Sequence, residues 1–219
     1  DLFLNEDGEI YVVGSTKSNN FPTTPGAKIF NSAVKGSGTT DAFITKFTKD
    51  GKKILYSHMM GGTGNDVFEG IYSNGQDEPY VVGYSNSGDF PVSSKAYQKN
   101  NAGGYDFVVV KMVSSGTNFH YSTYLGGSAD EYFWNSPFFS TVKITANVKE
   151  QAIVSGVSRS KNFPVTSDAL QKNNSSTFAW SINLTISKLN FEGSKLLYAT
   201  YFGGDRFEYP GAITAKKVG

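Results

Sequence analysis

The sequence predicts an all-β repeat fold, and three observations point to it. Three blocks of residues recur in the same order, about 70 residues apart. The blocks are runs of β-branched and aromatic residues, separated by short segments rich in Gly, Asn and Ser. The chain also holds 17 Phe, 13 Tyr and 2 Trp beside 24 Gly, a mixture that suits pleated sheets and tight turns better than helices.

The first block reads IYVVGSTKSNNFP at residues 10–22, PYVVGYSNSGDFP at 79–91 and AIVSGVSRSKNFP at 152–164. Its β-branched start runs into Gly14, an expected bend matched by Gly83 and Gly156, and predicts a strand. The second block is DAFITKF from Asp41, YDFVVVKM from Tyr105 and SINLTISKL from Ser181, again strand-like. A Gly-centred turn follows each (Gly51, Gly116, Gly193), the signal of a short hairpin. The returning strand is the third block: LYSHMMGG from Leu55, HYSTYLGG from His120 and LYATYFGG from Leu197. A weaker fourth strand is expected at 67–72, 140–145 and 211–215. The copies thus run over about 9–74, 79–146 and 152–216 within one repeat domain, and residues 1–8 match the end of a preceding copy.

Four antiparallel strands per copy make up a β-propeller blade, so the expected architecture is about three four-stranded blades. The unit exceeds the common propeller repeats in length, and the excess lies between the first and second strands. That loop carries the Phe-Pro pair. Proline cannot donate to a central ladder, so the pair is expected outside the sheet with its Phe tucked beneath the loop.

The order Y-V-x-G-x-[ST]-x-S-x-x-F-P, then D-A-F-[IV]-x-K, a turn Gly, and L-x-Y-S-x-x-[LM]-G-G resembles the bacterial β-propeller repeat often called SBBP. The resemblance covers nearly the whole chain. It implies a large exported or cell-surface protein with a scaffold or binding role. Three departures stand out: the drifted second strand TFAWSINLTISKL, Met59-Met60 in place of Tyr-Leu, and the aromatic insertion WNSPFF from Trp134.

Propellers close rings of about four to eight blades, and three copies fall short of one. The chain is expected to be a segment of a longer protein, to close by self-association, or to form an open stack whose edges invite association.

Formal net charge is +1, with 20 Lys+Arg scattered among 19 Asp+Glu, so nothing resembles a nucleic-acid footprint. No apolar run is long enough for a helical membrane span. Cysteine is absent, which excludes thiol catalysis and zinc–cysteine sites. No G-x-S-x-G, H-E-x-x-H or phosphate-loop motif occurs. His58 and His120 occupy non-equivalent positions of the same strand and suggest no shared site.

Acidic residues recur after the Gly-Gly pairs: Asp66 and Glu69, Asp130 and Glu131, Asp205 and Glu208. Asp66, Asp130 and Asp205 are candidate calcium ligands, against the plainer reading that they cap turns or pair with Lys. Apart from calcium, no cofactor is expected. Asp41 and Asp106 read as turn-stabilising. Tyr132, Phe133, Trp134, Phe138 and Phe139 are candidates for a sugar-stacking or protein-docking patch, with core packing as the alternative. N-x-[ST] triplets at Asn173, Asn174 and Asn183 are expected from composition alone. The expected function is an extracellular or cell-surface scaffold that binds protein or polysaccharide, or a structural subunit of a layer or filament. The rival is a polysaccharide-acting hydrolase or lyase using loop carboxylates.

Overall fold

A computed structural model describes residues 1–25, 39–132, 141–178 and 181–215. The described residues form twelve strands and no helix, so no helix is long and apolar enough to cross a membrane. Three four-stranded antiparallel sheets follow one another along the chain. The first holds β1 (Leu2–Leu4), β2 (Ile10–Thr16), β3 (Asp41–Phe47) and β4 (Ile54–Met60). The second holds β5 (Asp66–Ser73), β6 (Pro79–Ser85), β7 (Asp106–Met112) and β8 (Phe119–Leu125). The third holds β9 (Val142–Ala146), β10 (Ala152–Ser158), β11 (Asn183–Leu189) and β12 (Leu196–Phe202).

Within each sheet the strands pair in chain order. The sheets therefore divide the chain one strand earlier than the sequence copies do. The expected fourth strands at 67–72 and 140–145 correspond to β5 and β9, which open the next sheet. Residues 211–215, the third such segment, form no strand. Periodicity marks a strand but not which neighbour it joins.

The β3–β4, β7–β8 and β11–β12 hairpins turn on Gly51, Gly116 and Gly193, whose φ values of 70°, 69° and 64° lie in the left-handed region. Each turn glycine N–H donates three residues back, to Thr48, Val113 or Asn190. All three hairpins shift register just before the turn.

The sheets pack face to face in chain order, leaving two cores. Tyr11, Val13, Ile44 and Met60 of the first sheet meet Ile71, Val81, Val108 and Val110 of the second. The second sheet's other face, with Tyr80, Val82, Phe107 and Val109, meets Ile144, Val154 and Ala199 of the third. Each sheet thus turns one face forward, toward the next sheet, and one face back. The middle sheet is buried on both, and every residue of β6 and β7 is buried. In β2 and β11, by contrast, burial tends to alternate along the strand.

The Phe-Pro loops lie outside the ladders. Phe90 and Phe163 are buried in the two cores. The Phe90 N–H donates to the Tyr124 hydroxyl (3.1 Å), which donates to the Ser87 carbonyl (2.5 Å). The Phe163 N–H, Tyr201 hydroxyl and Ser160 carbonyl repeat this at 2.8 Å for each bond. In the first copy the equivalent of these tyrosines is Met59, and Phe21 is only half-buried.

Candidate functional site

The Gly-Gly pair that ends β4, β8 and β12 begins a tight connector. The N–H of the second glycine donates to an acid four residues on: Gly62 to Asp66 (2.8 Å), Gly127 to Glu131 (3.0 Å), and Gly204 to Glu208 (3.0 Å). Asp66 also accepts from Ser87 (2.8 Å) and from Ser85, and Glu131 accepts from Ser158 (2.8 Å). Asp66 and Glu131 thereby tie the connector leaving one sheet to the second strand of the next.

Each acid faces the first residue of the preceding sheet's third strand. Asp41 meets Asp66 at Gly61, Asp106 meets Glu131 at Gly126, and Asn183 meets Glu208 at Gly203, in space where a side chain on the glycine would collide. Burial, with the charge of Asp66, raises the Asp41 carboxyl to about 7. Burial lifts Asp106 to about 6 and raises Asp66 and Glu131 as well. The buried Asp41 Oδ1 and Asp106 Oδ1 find no donor among the described residues. In the third copy the amide answers the same geometry: Asn183 Nδ2 donates to Glu208 Oε2 at 3.0 Å. A proton held between the two carboxyls of the first and second copies would do there what the Asn183 N–H does in the third.

A second recurring device joins the sheets at their other end. Lys46 of β3 pairs with Glu9 of its own sheet and with Asp77 in the β5–β6 turn, both at 2.5 Å. Lys111 of β7 pairs with Glu78 (2.8 Å) and with Glu150 in the β9–β10 turn (2.6 Å). Each ammonium lies 5.2 Å from the centre of a ring, Tyr11 or Tyr80. Burial opposes the charge on both lysines, but the hydrogen bonds to their acids outweigh it and raise both. Asp77 and Glu150 reach across with positive φ, 61° and 55°, which is rare for residues other than glycine. Asn74 and Asn147 hold those turns by accepting from the N–H groups of Glu78 (2.9 Å) and Gln151 (3.1 Å).

The residues singled out in the sequence fall in separate surroundings. Asp66 is the connector acid just described. Asp130 accepts from Arg159 Nη1 (2.9 Å) and the Tyr105 N–H (3.1 Å). Asp205 is exposed. These three do not converge, and among the described residues no three His, Asp or Glu side chains group as a metal site requires. The equivalent acids are Asp66, Glu131 and Glu208. Tyr132 stacks with Tyr84 (4.2 Å between ring centres) and Tyr105 (5.3 Å). Phe133, Trp134, Phe138 and Phe139 lie outside the described residues, as does Trp180.

Burial beside Tyr56 lowers the pKa of His58, whereas His120 Nε2 lies 2.8 Å from Glu78 Oε1. Asn174 and Asn183 are buried, and only Asn173 of the three triplets is exposed. Sequence reasoning passed over Lys46 and Lys111, although the recurring Lys of the second block marked the position. No protein-family model and no curated protein matches the chain.

Proposed function

We propose that this chain is a β-propeller-type scaffold and interaction module, with SBBP-like repeats as its blades, that works outside the cell or on its surface. Its ligands are protein or polysaccharide. The observation that carries this reading is where the polar groups go. The buried acids and lysines are consumed in joining one sheet to the next, while large apolar side chains of the outer sheets stay exposed. Four-stranded antiparallel sheets stacked in chain order are what a blade array requires. A fully buried carboxylate such as Asp66 offers little to a polysaccharide that must enter a cleft.

The test is binding of the purified chain to arrays of defined glycans and purified surface proteins. Saturable binding to one class is expected. Cleavage of any glycan that disappears in Asp130→Asn or Asp205→Asn would overturn the scaffold reading in favour of a hydrolase or lyase.

A further inference from the structure

We infer that the forward face of the third sheet receives the back face of the first sheet from a second copy of this chain, so that copies join head to tail. The inference rests on reading the chain as an interaction module and names one of its partners. The same joint already occurs twice inside the molecule, between the first and second sheets and between the second and third.

At each internal joint, equivalent positions are closed, and at the two ends they are open. On the forward side, Met60 and Leu125 are 2% and 0% exposed, and their third-sheet equivalent Phe202 is 54% exposed. On the back side, Ile71 and Ile144 are each 6% exposed, and their first-sheet equivalent Leu2 is 58% exposed. Leu4, Val12 and Phe43 extend the open back face, while Leu184, Ile186 and Lys188 extend the open forward face.

The turns show the same complementarity. Gly116 of the second sheet lies on the ring of Tyr56, and Gly193 of the third lies on Tyr121, each so close that a side chain would strike the ring. The third-sheet equivalent of those tyrosines, Tyr198, is half-exposed. The first-sheet equivalent of those glycines, Gly51, has nothing within 4 Å of where a side chain would start. Gly51 of one copy therefore fits Tyr198 of another.

Charge points the same way. Lys188 stands where Lys46 and Lys111 stand, but Gln151 replaces the acid that Glu9 and Glu78 provide in the earlier sheets. Among the described residues Lys188 makes no close ion pair and feels only the charge of the exposed Asp168, so an acid on the incoming sheet would complete the device. The β1–β2 turn of a second copy brings Asp7, exposed, beside Gly8. Gly8 holds the place of Asp77 and Glu150 and shares their positive φ, at 80°. Because forward and back faces differ, the contact is heterologous and builds rings or filaments.

Light scattering on the purified 219-residue chain over a range of concentrations tests this. A mass of two or more chains is expected. The variants Leu2→Asp/Leu4→Asp (back face) and Lys188→Glu/Phe202→Asp (forward face), at exposed or half-exposed positions, are each expected to be folded monomers. Mixed in equal amounts, they should form a one-to-one heterodimer through the one intact face of each. Gly8→Asp should tighten association about five-fold by supplying the missing acid. A wild-type chain that is monomeric throughout overturns the inference, as does association lost in only one of the two variants, which would mean symmetric pairing. Ligand binding retained by the monomeric variants would leave the scaffold reading standing even then.

Discussion

Asp41 and Asp106 are the residues whose protonation the fold controls. Each titrates near 4 in an unfolded chain and at about 7 and about 6, respectively, in the folded one. Their contribution to stability is complete below the unfolded value and is lost as pH rises through the folded value. Neighbouring Asp66 and Glu131 are raised too and act in the same direction. The double variant Asp41→Asn/Asp106→Asn copies what the third copy already has at Asn183. Its melting temperature is therefore expected to fall less between pH 4 and 7 than that of the wild type, with Asp66 and Glu131 accounting for the fall that remains. Parallel curves for the two proteins would mean that the pairs share no proton. The sequence named the acids of this region, in pairs after each Gly-Gly, without showing which members of the pairs are equivalent. Asp66, Glu131 and Glu208 lie four residues beyond the second glycine because the connector N–H sets that reach. Asp130 and Asp205, nearer the glycines, fall short of it.

Among the elements, the loop between the second and third strands of the second and third sheets shows how a local clamp substitutes for ladder bonds that proline cannot make. In the second sheet the clamp is Tyr124, accepting from the Phe90 N–H and donating to the Ser87 carbonyl. Tyr124→Phe leaves both buried groups without a partner at unchanged ring packing. It should cost about 1–3 kcal/mol, seen in chemical denaturation as a lower midpoint with an unchanged slope. An unaltered midpoint would show that the loop is held by Phe90 packing alone. The strands themselves were legible, because runs such as YVVG and FVVVK satisfy a pleated, buried surface wherever they sit. So were the hairpin turns, since a glycine at Gly51, Gly116 and Gly193 is what a left-handed turn position favours. The allotment of β5 and β9 was not legible: a strand after Gly-Gly can fold back on its own sheet or begin the next. The choice depends on contacts such as Asp66 with Ser85 and Ser87 that are far apart in sequence.

For the whole molecule, near-identical segments meet different fates according to their place in the stack. IYVV in β2 and YVVG in β6 differ little in sequence, yet Val12 is half-buried and its equivalent Val81 fully buried. No local signal carries that difference, because it is set by how many sheets flank the strand. The consequence is a gradient of protection. Opening the middle sheet exposes two cores at once, whereas an outer sheet can separate from one core alone. In the Lys188→Glu/Phe202→Asp variant, amide hydrogen exchange should be slowest in β6 and β7. It should be faster in β2 and β3 and in β10 and β11. Where wild-type chains associate, the difference should shrink, since each joint turns an outer sheet into an inner one. If β2 and β10 exchanged as slowly as β6 in the variant, the three sheets would be opening as one unit. The joints between them would then be as strong as the ladders within them. The lysine pairs, with their acids only partly shielded from water, argue against that equality, because exposed ion pairs add little where solvent screens them.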